Sequence, residues 1–157
     1  MLKHHEESIQ NLVSYYKDGE GVIAVILDGS IVHGNARPDS DIDAVIVVTE
    51  EEYEKRKGEN RLAEVVTGHC TYEGGYFDVK FKSRKVLELA AERASEPTRN
   101  AYLGAVTVYT KDDDIPGLVE RISAYPEGEI LAKMRCFNSN LQLNRGYFHA
   151  CVKEDNA

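Results

Sequence analysis

The sequence predicts an α/β (α+β) domain, a β-sheet with helices packed against it. Three observations carry that prediction. Residues 22–27 (VIAVIL) and 42–48 (IDAVIVV) are short, nearly continuous apolar runs, as strands covered on both faces require. Residues 76–82 instead alternate, with Phe77, Val79 and Phe81 interleaved by Asp78, Lys80 and Lys82. Between and around these runs lie segments whose apolar residues recur at helical spacing.

In chain order, residues 3–17 read as an amphipathic helix with Ile9, Leu12, Val13 and Tyr16 on one face. Asp18-Gly19-Glu20-Gly21 breaks it. His4-His5 reads as the polar start of that helix. The strand at 22–27 runs into Asp28-Gly29-Ser30, a turn followed by a short helix, and Pro38-Asp39-Ser40 makes a second turn. The strand at 42–48 is rich in β-branched residues. Residues 50–57 form a charged helix whose acidic first turn suits the dipole, closed by Gly58. Residues 62–72 and 76–82 read as a hairpin turning through Glu73-Gly74-Gly75. Ser83 N-caps a helix over 84–94, with Val86, Leu87, Ala90 and Ala91 as its apolar face. A short helix follows Pro97, a last strand spans 105–110, and a helix spans 116–125. Asp112-Asp113-Asp114 reads as a solvated loop. Residues 127–152 are largely helical, with Leu131, Met134, Phe137, Leu141, Phe148 and Cys151 on a broad apolar face.

Length and composition narrow the function classes. A chain of 157 residues with 42% hydrophobic and 29% charged residues is a globular protein large enough to bury a core without disulfides. The formal charge of −8 argues against non-specific nucleic-acid binding, which needs basic groups to neutralise phosphates. The excess is local: residues 1–83 carry 16 acids and 9 bases, residues 84–157 carry 11 and 10. No apolar run reaches the length of a membrane span, and MLKHHEESIQ has no signal-peptide core. Cys70, Cys136 and Cys151 are odd in number and lack metal-ligand spacing, so a reduced, cytoplasmic protein with inert thiols is expected.

The stretch from Gly29 to Asp43 carries the chemistry. A strand delivers Gly29-Ser30 to a short helix, where backbone N–H groups and a hydroxyl can cradle phosphate oxygens. After ten intervening residues the chain returns with Asp41 and Asp43, which the strand period places on one face. Two hard oxygen ligands beside a phosphate cradle suit Mg²⁺ shared between protein and triphosphate. Asp78 is the candidate third carboxylate, provided its strand neighbours 42–48; it would then ligate a metal and take a proton from an attacking hydroxyl. Lys80 and Lys82 can hold phosphates or simply form the solvated face of the strand. His33 is either a phosphate contact or a loop residue. Arg37 and Ser40 fit best as residues shaping the loop, and Ser40 can also orient Asp41 at the nucleotide-binding edge.

Gly29-Ser30, ten residues, Asp41-x-Asp43 and a later strand aspartate resemble the signature of polymerase-beta-type nucleotidyltransferases. The small bacterial branch, which includes aminoglycoside and lincosamide nucleotidyltransferases and antitoxin-like minimal members, matches more fully, with Gly34, Ala36, Ser40, Asp41 and Asp43 in register. His33 stands where many relatives have arginine, Ile31 where many are polar, and Asp28 adds a negative charge beside the expected triphosphate. The resemblance covers roughly residues 20–110. It implies a mixed sheet of the nucleotidyltransferase fold, two Mg²⁺ ions (or Mn²⁺), and transfer of a nucleoside monophosphate from an NTP, ATP foremost. Catalytic and metal roles fall to Asp41, Asp43 and Asp78, and nucleotide contacts to Gly29, Ser30, His33, Ser40 and Lys80. The acceptor would be a small molecule or protein, not a nucleic acid or membrane. A catalytic domain at 1–112 is expected to precede a helical region at 113–157, the start of a helical companion completed by further chain or by a second subunit of a homodimer. A non-catalytic, antitoxin-like module acting through a protein partner is the alternative.

Overall fold

The computed structural model describes residues 1–154. Its elements in chain order are α1 (Lys3–Tyr16), β1 (Val22–Leu27), α2 (Gly29–Val32), β2 (Ile42–Val48), α3 (Glu50–Gly58), β3 (Ala63–Thr67) and β4 (Tyr76–Ser83). There follow α4 (Arg84–Arg93), α5 (Glu96–Tyr102), β5 (Val106–Thr110), α6 (Ile115–Ser123), a 3-10 turn (Glu127–Glu129) and α7 (Ile130–Glu154). The five strands form one mixed sheet in the order β3-β4-β2-β1-β5. Strands β2 and β4 run parallel, and every other neighbouring pair is antiparallel.

Strands β1 and β2 are buried on both faces, which is why they tolerate almost no polar residue, whereas β4 buries one face and leaves Asp78, Lys80 and Lys82 on a more open one. On one face Val25, Leu27, Ala44, Ile46, Phe77, Val79 and Phe81 pack with Ile9, Leu12 and Tyr16 of α1. On the other, Ala24, Ile26, Val45 and Val47 pack with Leu87 of α4, Tyr102 of α5, and Ile115, Leu118 and Ile122 of α6. Helix α6 is secured by Arg99, whose Nη1 donates to the carbonyls of Ile122 and Ala124 at 3.1 and 2.6 Å. These are orphan carbonyls at a helix end, and a buried guanidinium supplies their donors.

Contacts divide the chain into two compact units, Met1–Ala124 and Tyr125–Ala157. In the second unit, the 3-10 turn leads into α7, where Leu131, Met134, Phe137, Leu141 and Phe148 are exposed. No helix among the described residues is long and apolar enough to cross a membrane.

Local outcomes depart from the sequence reading at four points. Strand β3 ends at Thr67, so residues 68–75 form a long connection in place of the tight turn at 73–75. The reason is competition from α1: Asn11 Nδ2 donates to the His69 carbonyl at 2.9 Å, and the Thr71 N–H donates to Ser8 Oγ at 2.9 Å. His5 is fully buried rather than part of a polar helix start. Ser83 occupies the N-cap position of α4, but its buried hydroxyl makes no cap bond. Asp112 and Asp114 are not merely solvated, because both pair with Arg84 of α4. The three cysteines are free; Cys70 is half-buried and Cys136 and Cys151 are exposed.

Candidate active site

The register of the parallel pair sets the site. Asp43 of β2 lies directly opposite Asp78 of β4, and the next pairs along the ladder are Ala44 with Val79 and Val45 with Lys80. Ala44 and Val79 point into the α1-side core, so Asp43 and Asp78 face the opposite side of the sheet. Asp28 follows β1 and is tied to β2 by its N–H, which donates to the Asp43 carbonyl at 3.2 Å. Three adjacent strands therefore bring Asp28, Asp43 and Asp78 to one end of the sheet, with Asp41 two residues before Asp43.

Gly29 fits this crowding in two ways. Its φ of +73° lies in the left-handed region, where a Cβ is costly. A Cβ built there would sit 2.0 Å from Asp43 Oδ2. The carboxylate thus occupies the space that any larger residue would fill. Asp43 in turn is pushed up to about 6, first by burial and then by the Asp28 and Asp41 carboxylates. Burial also raises Asp28, against the pull of Lys80 and Lys82. Such a cluster of partly desolvated carboxylates is poorly neutralised by the protein itself, which suits a divalent cation.

Asp78 Oδ2 lies 3.5 Å from Lys80 Nζ. The Asp41 carboxylate beside the Tyr76 phenol holds Tyr76 above its ordinary range. Among the described residues, no three His, Cys, Asp or Glu side chains converge into a ready metal cluster. The donor chemistry and the Gly29 cradle fit a cation; Lys80 and Tyr76 would have to give way to it.

The other sequence-named residues separate. Ser30 opens α2 beside Gly29, and its carbonyl accepts from the Asn35 N–H at 3.0 Å. His33 is engaged elsewhere, its Nε2 bonded to the Leu103 carbonyl at the end of α5. Ser40 is buried, and its Oγ accepts from the Arg37 N–H at 2.9 Å, closing the turn ahead of Asp41. Lys80 is exposed, whereas Lys82 is half-buried, with Nζ 3.1 Å from the Tyr102 hydroxyl and 4.8 Å above that ring. Burial lowers Lys82, and Asp28 acts in the other direction. Lys82 is thus the more enclosed cation on the aspartate face, a distinction that strand alternation alone does not make. Tyr72, Tyr76 and Tyr102 carry no sequence signal, because each reaches the site from a different element.

The mixed sheet and its carboxylate-lined end define a domain of the nucleotidyl-transfer class. The chain belongs to the nucleotidyltransferase domain family, of the polymerase-beta-type superfamily: the family's model matches residues 7–96. It is similar to a solved structure described as the crystal structure of the toxin-antitoxin with AMP-PNP, at 16% identity and a TM-score of 0.41, over 90% of this chain and 99% of that one. No curated protein sequence matches the chain.

Proposed function

We propose that this protein transfers a nucleoside monophosphate from an NTP, ATP foremost, to a hydroxyl of a small molecule or protein side chain, releasing pyrophosphate. The observation that carries this reading is the pairing of Asp43 with Asp78 across parallel strands, beside a glycine whose missing Cβ admits the Asp43 carboxylate. Asp41 and Asp43 would hold two Mg²⁺ ions, or Mn²⁺ in their place, and Asp78 would complete the set. When bound, the cations neutralise triphosphate charge and favour departure of pyrophosphate. The chain's own residues do the rest. Gly29 and Ser30 hold the β- and γ-phosphate oxygens through the backbone and hydroxyl. An Asp78 carboxylate oxygen takes the proton of the acceptor hydroxyl, whose oxygen bonds to the α-phosphorus as the bond to the bridging oxygen breaks. Lys80, freed from Asp78, pairs with phosphate. Ser40 holds the turn that presents Asp41, and His33 ties α2 to the end of α5. Purified protein, ATP and Mg²⁺ should label an acceptor with AMP in a mass-spectrometric screen of hydroxyl compounds and proteins. Failure with every NTP and divalent cation would reject the reading.

A second reading, a non-catalytic antitoxin-like module acting through a protein partner, is favoured by one observation. Asp28 adds a fourth carboxylate, one that bears on Asp43, where a triphosphate would lie. Calorimetry separates the two: Mg²⁺-dependent ATP binding supports the enzyme, and its absence supports the module.

A further inference from the structure

We propose that Tyr72 is a positioning residue for Asp41, acting through the Ser40–Asp41 peptide. The inference rests on the reading of Asp41 as a metal ligand. The Tyr72 hydroxyl donates to the Ser40 carbonyl at 2.5 Å, and that carbonyl belongs to the peptide whose nitrogen is Asp41's own. Holding this peptide plane fixes where the Asp41 Cα lies and restricts the directions open to its side chain.

The tyrosine is itself held from several sides. The rings of His4 and His5 lie 4.6 and 5.1 Å from its ring. On another side a Cβ at Gly75 would fall 2.6 Å from Tyr72 Cε2, so only glycine leaves room for the ring there. Burial holds the Tyr72 phenol above its ordinary range. The same α1 turn reaches the metal loop directly, with His4 Nε2 3.0 Å from the Pro38 carbonyl. It also secures the segment that bears Tyr72, since Ser8 Oγ accepts from the Thr71 N–H at 2.9 Å. His5 is fully buried, with neither ring nitrogen in a hydrogen bond of normal geometry. Its ring packs edge-on against that of Tyr72. Helix α1, the long β3–β4 connection and the 38–40 turn therefore meet at one phenol, one peptide away from a site carboxylate.

The experiment compares the full chain with Tyr72→Phe, Gly75→Ala and Asp41→Asn, reading free Mn²⁺ by paramagnetic resonance in the presence of ATP. Each variant is also melted. Tyr72→Phe keeps the ring and removes only the donor. Its Mn²⁺ dissociation constant should rise about three- to tenfold, because a peptide no longer held spends time in orientations that do not bind and the apparent constant rises by the inverse of the competent fraction. Its melting temperature should fall by only a few degrees, the loss expected for one hydrogen bond, and its affinity for ATP at saturating Mn²⁺ should be unchanged. Gly75→Ala, which displaces the ring, should weaken Mn²⁺ in the same direction. Parent-like Mn²⁺ binding by Tyr72→Phe, with binding lost in Asp41→Asn, overturns the positioning role and leaves the metal reading intact. Parent-like binding by Asp41→Asn overturns the metal reading and the positioning role with it. Losses of Mn²⁺ affinity that simply track melting temperature across Tyr72→Phe and Gly75→Ala would make Tyr72 a packing residue and overturn the proposal.

Discussion

At the scale of single residues, the strongest physical statement concerns Asp43, whose carboxyl is pushed up to about 6 from 3.8. The native state therefore holds this proton more tightly than the unfolded chain does. The stabilisation from that proton is present at low pH and is lost as pH rises from 3.8 through about 6. Asp43→Asn should consequently raise the melting temperature of the metal-free protein at pH 7.5 by roughly a few degrees. At pH 4 the gain should vanish, which a pair of thermal scans would show. The same variant, and Asp41→Asn, should abolish nucleotide transfer while the circular dichroism spectrum stays native. Unchanged turnover of labelled ATP in either variant rejects its metal role. Gly29→Ala places a Cβ on Asp43 and forces a non-glycine residue to positive φ. The conformation alone costs about 1–2 kcal/mol, so a lower melting temperature and loss of transfer should appear together.

At the scale of elements, two anchors hold the layers over the sheet. Helix α1 contributes Leu12, fully buried against β1, β2 and β4. Leu12→Ala should cost about 2–5 kcal/mol in urea unfolding, because the site is closed on all sides and relaxes little. His5 lies in the same helix, and burial lowers it from 6.5. A histidine kept neutral in the native state contributes stability above its unfolded value, lost as pH falls through 6.5. Helix α6 depends on Arg99. Arg99→Ala removes donors from the Ile122 and Ala124 carbonyls and should cost about 2 kcal/mol, measured the same way. Both strands that carry aspartates, β2 and β4, are legible as strands from their apolar patterns. The β3–β4 connection was not, because residues 68–72 have strand-like composition but exchange ladder bonds for contacts with α1.

At the scale of the whole molecule, the charge of −8 has a location and a consequence. Much of the excess lies in residues 1–83, which include Asp28, Asp41, Asp43 and Asp78 at one sheet end. Millimolar MgCl₂ should raise the melting temperature more than NaCl at equal ionic strength. That difference should shrink below about pH 6, where Asp43 takes up its proton and competes with the cation. Equal effects of the two salts would mean that screening alone acts on the cluster.

The sequence by itself determined the alternation of strands and helices, the Gly29-Ser30 turn and the two-residue spacing of Asp41 and Asp43 at the start of β2. Each of these follows from local periodicity and from what glycine permits. Its resemblance to a known family also pointed to the correct superfamily. Only the tertiary structure decided that Asp78 lies opposite Asp43, that Lys82 rather than Lys80 is enclosed, and that Tyr72 braces the turn before Asp41. Those facts depend on a parallel crossover and on loops docking against α1. Contacts between residues tens of positions apart leave no period in the chain, and they form only when the layers close.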